Sequence, residues 1–524
     1  MLTLDLIPLI LMLATFILLL VLLKLPSGLS LMASSVVGLI AGVIIHAKDG
    51  LTFDVRFLIE GGFGYIDNLL VIVCAMVFIK FLQMSGGLDY LTAFLIKVFH
   101  KFPTVLLMLF MALLLLPGMV TGSSTAAVVS AGIIIAPIMV NMGMPKAKVA
   151  AFIGFGAILG MVAPPINIPV MVICDVVDIP YNGFDETLLL LTVPMALFST
   201  VFFSRDIKSA GKSEKKTNKL ENIILSALFG VFALFFLVKF IISSGAERAI
   251  ATGAYKMGDA VKYDLFVFIF ITIISAISCL WVWLFEPHSH EIDMESIKES
   301  VNFDIFKELK WYCLVPLFVI VLLFLLQSIF PKQVGVLATP LLFIIASIPA
   351  LFTGKKFSAI KALDEAVEKC LGVLGLLMGV GMFIEVLSVT GARALIVANI
   401  LKLLTLSKEA LYVAMALSLS VFGGISSFAS ASVFGGPFVM ALYGKFGYII
   451  VASVSSLIAA LGEFLPPTAM SSRLASKNLN DLEASKDGSA TLGFMETTKA
   501  CAIPLALTLI WGMLFVIALA PLTA

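Results

Sequence analysis

The chain has 524 residues, 61% of them hydrophobic and only 13% charged, with a mean hydropathy of +1.13. Soluble domains carry roughly 25% charged residues, so the composition is that of an all-α polytopic membrane protein. A net charge of +1 offers no field for nucleic acid, and six scattered cysteines without a CxxC pair imply no disulfide framework.

In chain order, the first apolar run, residues 4–24, is too long for the core of a secretion signal and lacks a basic region before it, so it reads as a retained helix. Further spans are predicted near 28–46, 68–85, 145–172, 186–203, 222–243, 264–285, 311–330, 335–352, 371–390, 447–470 and 494–520. Each approaches the roughly 20 residues that a hydrocarbon core requires. The runs 102–141 and 409–442 differ, because an uncharged Gly/Ser cluster breaks each in its middle. Both read as re-entrant helical hairpins with buried tips. Free backbone amides are tolerated at membrane depth only where they line a cavity. The segments 86–101 and 391–408 read as amphipathic surface helices leading into the hairpins, and 47–67 and 354–370 precede the spans at 68 and 371 in the same way.

These features recur. Gly122-Ser123-Ser124 is matched by Gly424-Ile425-Ser426-Ser427, and Gly160-x-x-x-Pro164-Pro165 by Gly462-x-x-x-Pro466-Pro467. From Ser124 to Pro164 is 40 residues and from Ser427 to Pro466 is 39. Upstream, Phe78-Ile79-Lys80-x-Leu82-x-x-Ser85-Gly86 is answered by Phe383-Ile384-Glu385-x-Leu387-x-x-Thr390-Gly391. Two signals at matched spacing point to an internal duplication, with a site where the copies meet.

Orientation follows from the loop 205–221, whose six Lys/Arg make it the densest short basic loop and place it in the cytoplasm. Counting spans in both directions makes the first hairpin open from the cytoplasm and the second from outside. The chain thus divides into a first transporter repeat (1–204), a linker with an additional helix pair (205–310), and a second, inverted repeat (311–524).

Hairpin tips and broken helices place helix ends and free carbonyls at mid-membrane, where they can meet an anion or a cation such as Na⁺. Ser123, Ser124, Thr125, Ser426 and Ser427 supply hydroxyls, while Gly122 and Gly424 allow close approach. Pro164-Pro165 and Pro466-Pro467 disfavour helix and leave carbonyls unpaired, and Asn167 and Thr468 add polar atoms beyond the breaks. A Na⁺ site is expected at Ser124 and Ser427 with nearby backbone carbonyls. Glu463, just before the second double proline, is an intramembrane carboxylate; its counterpart in the first repeat is Met161. It reads either as a cation ligand or as a proton carrier, with a cation/proton antiporter as the alternative function. Lys80 and Glu385 occupy equivalent positions and are candidates for a pair. No GxSxG, HExxH or P-loop appears, and no cofactor beyond the coupling ion is expected.

The stretch GSSTAAVVSAGIIIAPIMVNMGMPKAKVAAFIGFGAILGMVAPPINIP resembles the large membrane subunit of the tripartite ATP-independent periplasmic (TRAP) transporters. The match is good over 70–172 and looser over 371–470, where ISSFASAS departs from the pattern. The resemblance implies Na⁺-driven uptake of an organic anion, often a carboxylate, across a bacterial cytoplasmic membrane, by an elevator-like movement of hairpins and broken helices. It implies two half-sites, one at Gly122, Ser123, Ser124 and Pro164-Pro165, the other at Ser426, Ser427 and Pro466-Pro467. It also implies a small membrane subunit and a soluble binding protein as partners besides membrane lipids; the helix pair near 222–285 is a candidate stand-in for the small subunit.

Overall fold

The computed structural model describes residues 6–46, 54–181, 183–207, 219–250, 258–284, 297, 301, 303–329, 338–483 and 491–520. Secondary structure there is helical, and eight helices are long and apolar enough to cross a membrane. The basic loop at 208–218 lies outside the described residues.

One body is built from α1 (Leu6–Val21), α2 (Ser27–His46), α3 (Arg56–Phe63) and α4 (Ile66–Met84), packed against α13 (Val315–Ile329), α14 (Thr339–Ser347) and α15 (Ala359–Val389). Here one expectation is corrected. The amphipathic stretch 354–370 is not a separate surface helix: from Ala359 it runs without interruption into the predicted span, because neither Pro nor a left-handed residue intervenes. Its start is fixed by Ser358, whose side chain accepts from Lys361 N. This continuity also removes the Lys80–Glu385 pair. Glu365 and Glu385 are separated by 20 residues of one helix, about 30 Å, and Lys80 Nζ pairs with Glu365 at 2.5 Å.

A second body holds both hairpins. The first is α6 (Pro103–Thr121) and α7 (Ser124–Asn141), followed by α8 (Lys146–Val162), α9 (Ile168–Val177) and α10 (Asp185–Ser204). The second is α17 (Lys408–Gly423) and α18 (Ser427–Leu442), followed by α19 (Tyr448–Leu461), α20 (Met470–Glu483), α21 (Phe494–Ala500) and α22 (Ala502–Ala518). The predicted spans 145–172 and 447–470 are each two helices parted at the double proline, and a bend of 59° separates α21 from α22. The polar helix α20 was not anticipated. It packs along α8, so the two broken helices share one core.

The bodies are joined by α5 (Gly87–Phe99) and α16 (Ala392–Leu406), helices within the stretches 86–101 and 391–408. Each begins at a left-handed glycine, Gly86 at φ 81° and Gly391 at φ 76°. That conformation turns the chain sharply out of the preceding span and costs a side-chain-bearing residue about 1 kcal/mol or more.

Between the halves lie α11 (Lys219–Ile250) and α12 (Gly258–Leu284), packed on each other. They dock on the hairpin-bearing body: Val201, Leu225, Phe229 and Val282 form one apolar cluster, with Val105 and Leu197 against it. Glu221 of α11 accepts from Thr104 N at 2.6 Å and Val105 N at 3.3 Å, so a carboxylate from the helix pair caps the N-terminus of α6.

Candidate functional site

The two hairpin tips share the start of their second helices but not the end of their first, since α17 closes at Gly424 in right-handed geometry while α6 closes at a left-handed glycine. α6 ends at Gly122, whose φ of 62° is left-handed and whose N–H bonds to Gly118 O at 2.7 Å. Extended Ser123 then caps α7, its hydroxyl accepting from Ala126 N at 3.4 Å. In the second hairpin extended Ser426 caps α18, accepting from Ala429 N at 3.4 Å. One turn on, both helices widen into a five-residue π-turn, Val128–Gly132 and Ala431–Gly435. Such turns gather at functional sites, and nothing in the composition announced these two. The first serine of each pair therefore belongs to the cap, which leaves the second, Ser124 or Ser427, with its hydroxyl free to reach outward.

Both reach the same group. Glu463 sits on a short 3₁₀ turn, Gly462–Phe464, that ends α19, and it is only 7% exposed. Its Oε2 accepts from Ser124 Oγ at 2.6 Å and from Ser471 Oγ at 2.6 Å, and its Oε1 accepts from Ser427 Oγ at 2.6 Å. Ser427 Oγ also lies 3.9 Å from Sδ of Met161, the residue that follows Gly160 as Glu463 follows Gly462. One carboxylate thus joins both hairpin tips to the helix that follows the second break. Among the described residues no cation pairs with it.

The other candidates occupy the surrounding shell. Asn167 caps α9 by accepting from Val170 N at 3.0 Å, and its amide donates to Val162 O and to Ser456 Oγ at 2.7 Å. It ties the first break to α19 rather than facing Glu463. Thr468 donates from both N and Oγ1 to Gly424 O, at 3.0 and 2.7 Å, closing the second tip onto its break. The Pro164-Pro165 and Pro466-Pro467 bonds are both cis. Carbonyls at the breaks are less open than expected: Pro165 O accepts from Tyr181 Oη at 3.0 Å and Phe464 O from Thr498 Oγ1 at 3.2 Å. Each retains a second lone pair. Thr125 lies half-buried on the side away from this cluster and lines a small cleft against α15.

Sequence reasoning missed Ser471 and Lys369. Ser471 lies on the polar helix α20, where Leu474, Ala475, Leu479 and Leu482 recur at helical spacing; that pattern was the available signal. Lys369 was hidden by reading 354–370 as a separate helix. In the continuous α15 it lines the same cleft as Ser123 and Thr125.

Residues 13–272 match the model of the family described as tripartite ATP-independent periplasmic transporter, DctM component. The matched span covers the first hairpin and break and extends through α11 into α12. No curated protein matches the chain. That family is one of transporter components rather than enzymes, and the apolar helices make the chain a multi-pass membrane protein. The chain belongs to the DctM-like large membrane components of TRAP secondary transporters.

Proposed function

We propose that the protein couples Na⁺ entry to uptake of a small organic anion of the carboxylate or dicarboxylate type, with an elevator-like alternation of access. The observation that carries this reading is Glu463, a buried carboxylate satisfied by three neutral hydroxyls but without a cationic partner among the described residues. A charge so placed is expensive unless a cation or proton joins it. Carboxylate and hydroxyl oxygens are hard ligands suited to a hard cation. Ser124 and Ser427 bring one hydroxyl from each hairpin, so the ion would hold both tips together; Ser426 and the breaks at Pro164-Pro165 and Pro466-Pro467 would frame the ion, and the anion would lie across the first tip, on the side of Ser123 and Thr125. The division into two bodies joined by α5 and α16 supports movement of one against the other.

On this reading Ser124→Ala and Ser427→Ala each raise the Na⁺ concentration for half-maximal uptake by about fivefold or more, the equivalent of one lost hydroxyl contact worth about 1 kcal/mol. Proteoliposomes loaded without Na⁺, given labelled carboxylates outside with or without Na⁺, supply the measurement. Uptake by the unmutated protein that follows a pH gradient and ignores Na⁺ would favour the second reading, a cation/proton antiporter or proton symporter in which Glu463 carries the proton. The family generally works with a small membrane subunit and a soluble binding protein, and the same partners, in a bacterial cytoplasmic membrane, belong to this proposal.

The halves 1–204 and 311–524 are read as inverted repeats, each with a re-entrant hairpin, separated by the linker 205–310. The support is the basic loop and the span count. Single cysteines at Lys215 and Asp178 should react with an impermeant reagent from the cytoplasm and from outside, respectively. Reaction of both from one face would end the inverted arrangement.

A further inference from the structure

Lys369 stands beside the first hairpin tip on the opposite body, and we infer that it is the cationic contact for the carboxylate of a small organic anion held at that tip. The inference rests on the transporter reading for the anion's identity, but its physical basis is separate from Glu463. A cleft with room for about 10 Å³, roughly one water molecule, lies between α4 and α15 on one side and α7 on the other. Ile72, Met76 and Cys370 supply apolar walls, while Ser123, Thr125 and Lys369 are its polar lining.

Lys80, Lys361 and Lys369 all act on Glu365. Glu365 is committed to Lys80 at 2.5 Å and lies 4.0 Å from Lys361. Lys369 is exposed at the cleft's edge and forms no ion pair among the described residues, so its ammonium, influenced by Glu365 and Glu368 but bonded to neither, is open to a further anionic partner. A lysine in such a place attracts an anion that also needs hydroxyl donors, and the tip offers two. A carboxylate fits both demands: one oxygen for the ammonium, the other for Ser123 or Thr125. The cleft as it stands holds no more than about one water, so on the elevator reading the anion would enter only when the two bodies part. The cation held by Glu463 and the anion held by Lys369 then lie on opposite sides of the same tip, since Ser124 faces one and its neighbours Ser123 and Thr125 face the other.

The test reads the local potential directly. Full-length protein carrying Thr125→Cys is reconstituted and treated with an anionic or a cationic methanethiosulfonate, and modification at position 125 is quantified by mass spectrometry. The anionic reagent should be favoured, and Lys369→Gln should lower the anionic-to-cationic rate ratio about tenfold, as expected for removing one charge several ångströms away at an intermediate dielectric. Lys369→Arg, which keeps the charge, should restore it. A ratio unchanged by Lys369→Gln overturns the inference. In parallel, Lys369→Gln without the cysteine should raise KM for labelled succinate about tenfold at nearly constant maximal rate; robust succinate uptake with unchanged KM also overturns it. If the parent takes up no succinate while the ratio responds as stated, the anion-selective site stands and the dicarboxylate reading of the transporter falls.

Discussion

Replacing Glu463 by Gln should leave the protein folded and inserted but raise the Na⁺ requirement for uptake by about 10- to 100-fold. The fold survives because the amide oxygen can accept from two serines, and the third hydroxyl, itself able to accept, can turn to meet the new NH₂ group. Ion affinity falls because a charge-assisted contact worth roughly 1.5–3 kcal/mol becomes a neutral one. Glu463→Ala should be worse in a different way. It would strand the hydroxyls of Ser124, Ser427 and Ser471, all buried, without their acceptor, and stability would fall along with transport. In the proton-carrier reading, Glu463→Gln instead abolishes proton-driven net uptake while substrate exchange persists. Uptake that keeps its rate, ion dependence and pH profile in Glu463→Gln would remove the residue from the mechanism altogether.

The second large effect concerns packing beneath the tips. α6 crosses α8 where a Cβ on Gly118 would come within 2.7 Å of Gly160 C, and one on Gly160 within 2.7 Å of Leu115 O. In the second half, a Cβ on Gly423 would lie 2.2 Å from Ala459 O, and one on Gly462 2.5 Å from Gly423 Cα. All these neighbours are backbone, which cannot swing aside. Gly423→Ala and Gly118→Ala should each cost about 3 kcal/mol or more, beyond the usual range for an overpacked core, because a whole helix must shift. Gly372→Ala is the control: nothing lies within 4 Å of its Cβ, and alanine is the better helix former by up to ~1 kcal/mol. Thermal stability followed by size-exclusion fluorescence should drop for the first two and hold or rise for the third. Equal behaviour of all three would mean that hairpins and broken helices are not in backbone contact.

Much of this site was legible because its residues are punctuation. Gly122, Ser123, Pro164-Pro165 and their later counterparts interrupt apolar helices, and interruptions are rare enough in a membrane chain for two at nearly equal spacing to be noticed. Glu463 was visible for the same reason, as a charge where charge is costly. What stayed hidden depended on where continuous helices carry ordinary residues. The run through Cys370, Leu371 and Gly372 contains no stop, yet its change from amphipathic to apolar looked like a boundary; reading one there took Lys369 away from the tip and Lys80 away from Glu365. Ser471 lay in a helix too polar to register as a span. The roles within each serine pair, one capping and one reaching, follow from extended backbone at Ser123 and Ser426, and no composition rule separates neighbouring serines.

The central claim, that Ser124, Ser427 and Glu463 together hold the coupling ion, is tested most directly by equilibrium binding of ²²Na⁺ to the purified protein. The account predicts saturable binding by the unmutated chain, weakened in Ser124→Ala and in Ser427→Ala and weakened most in Glu463→Gln. Absence of saturable ²²Na⁺ binding in the unmutated protein, or binding that all three substitutions leave unchanged, would contradict it.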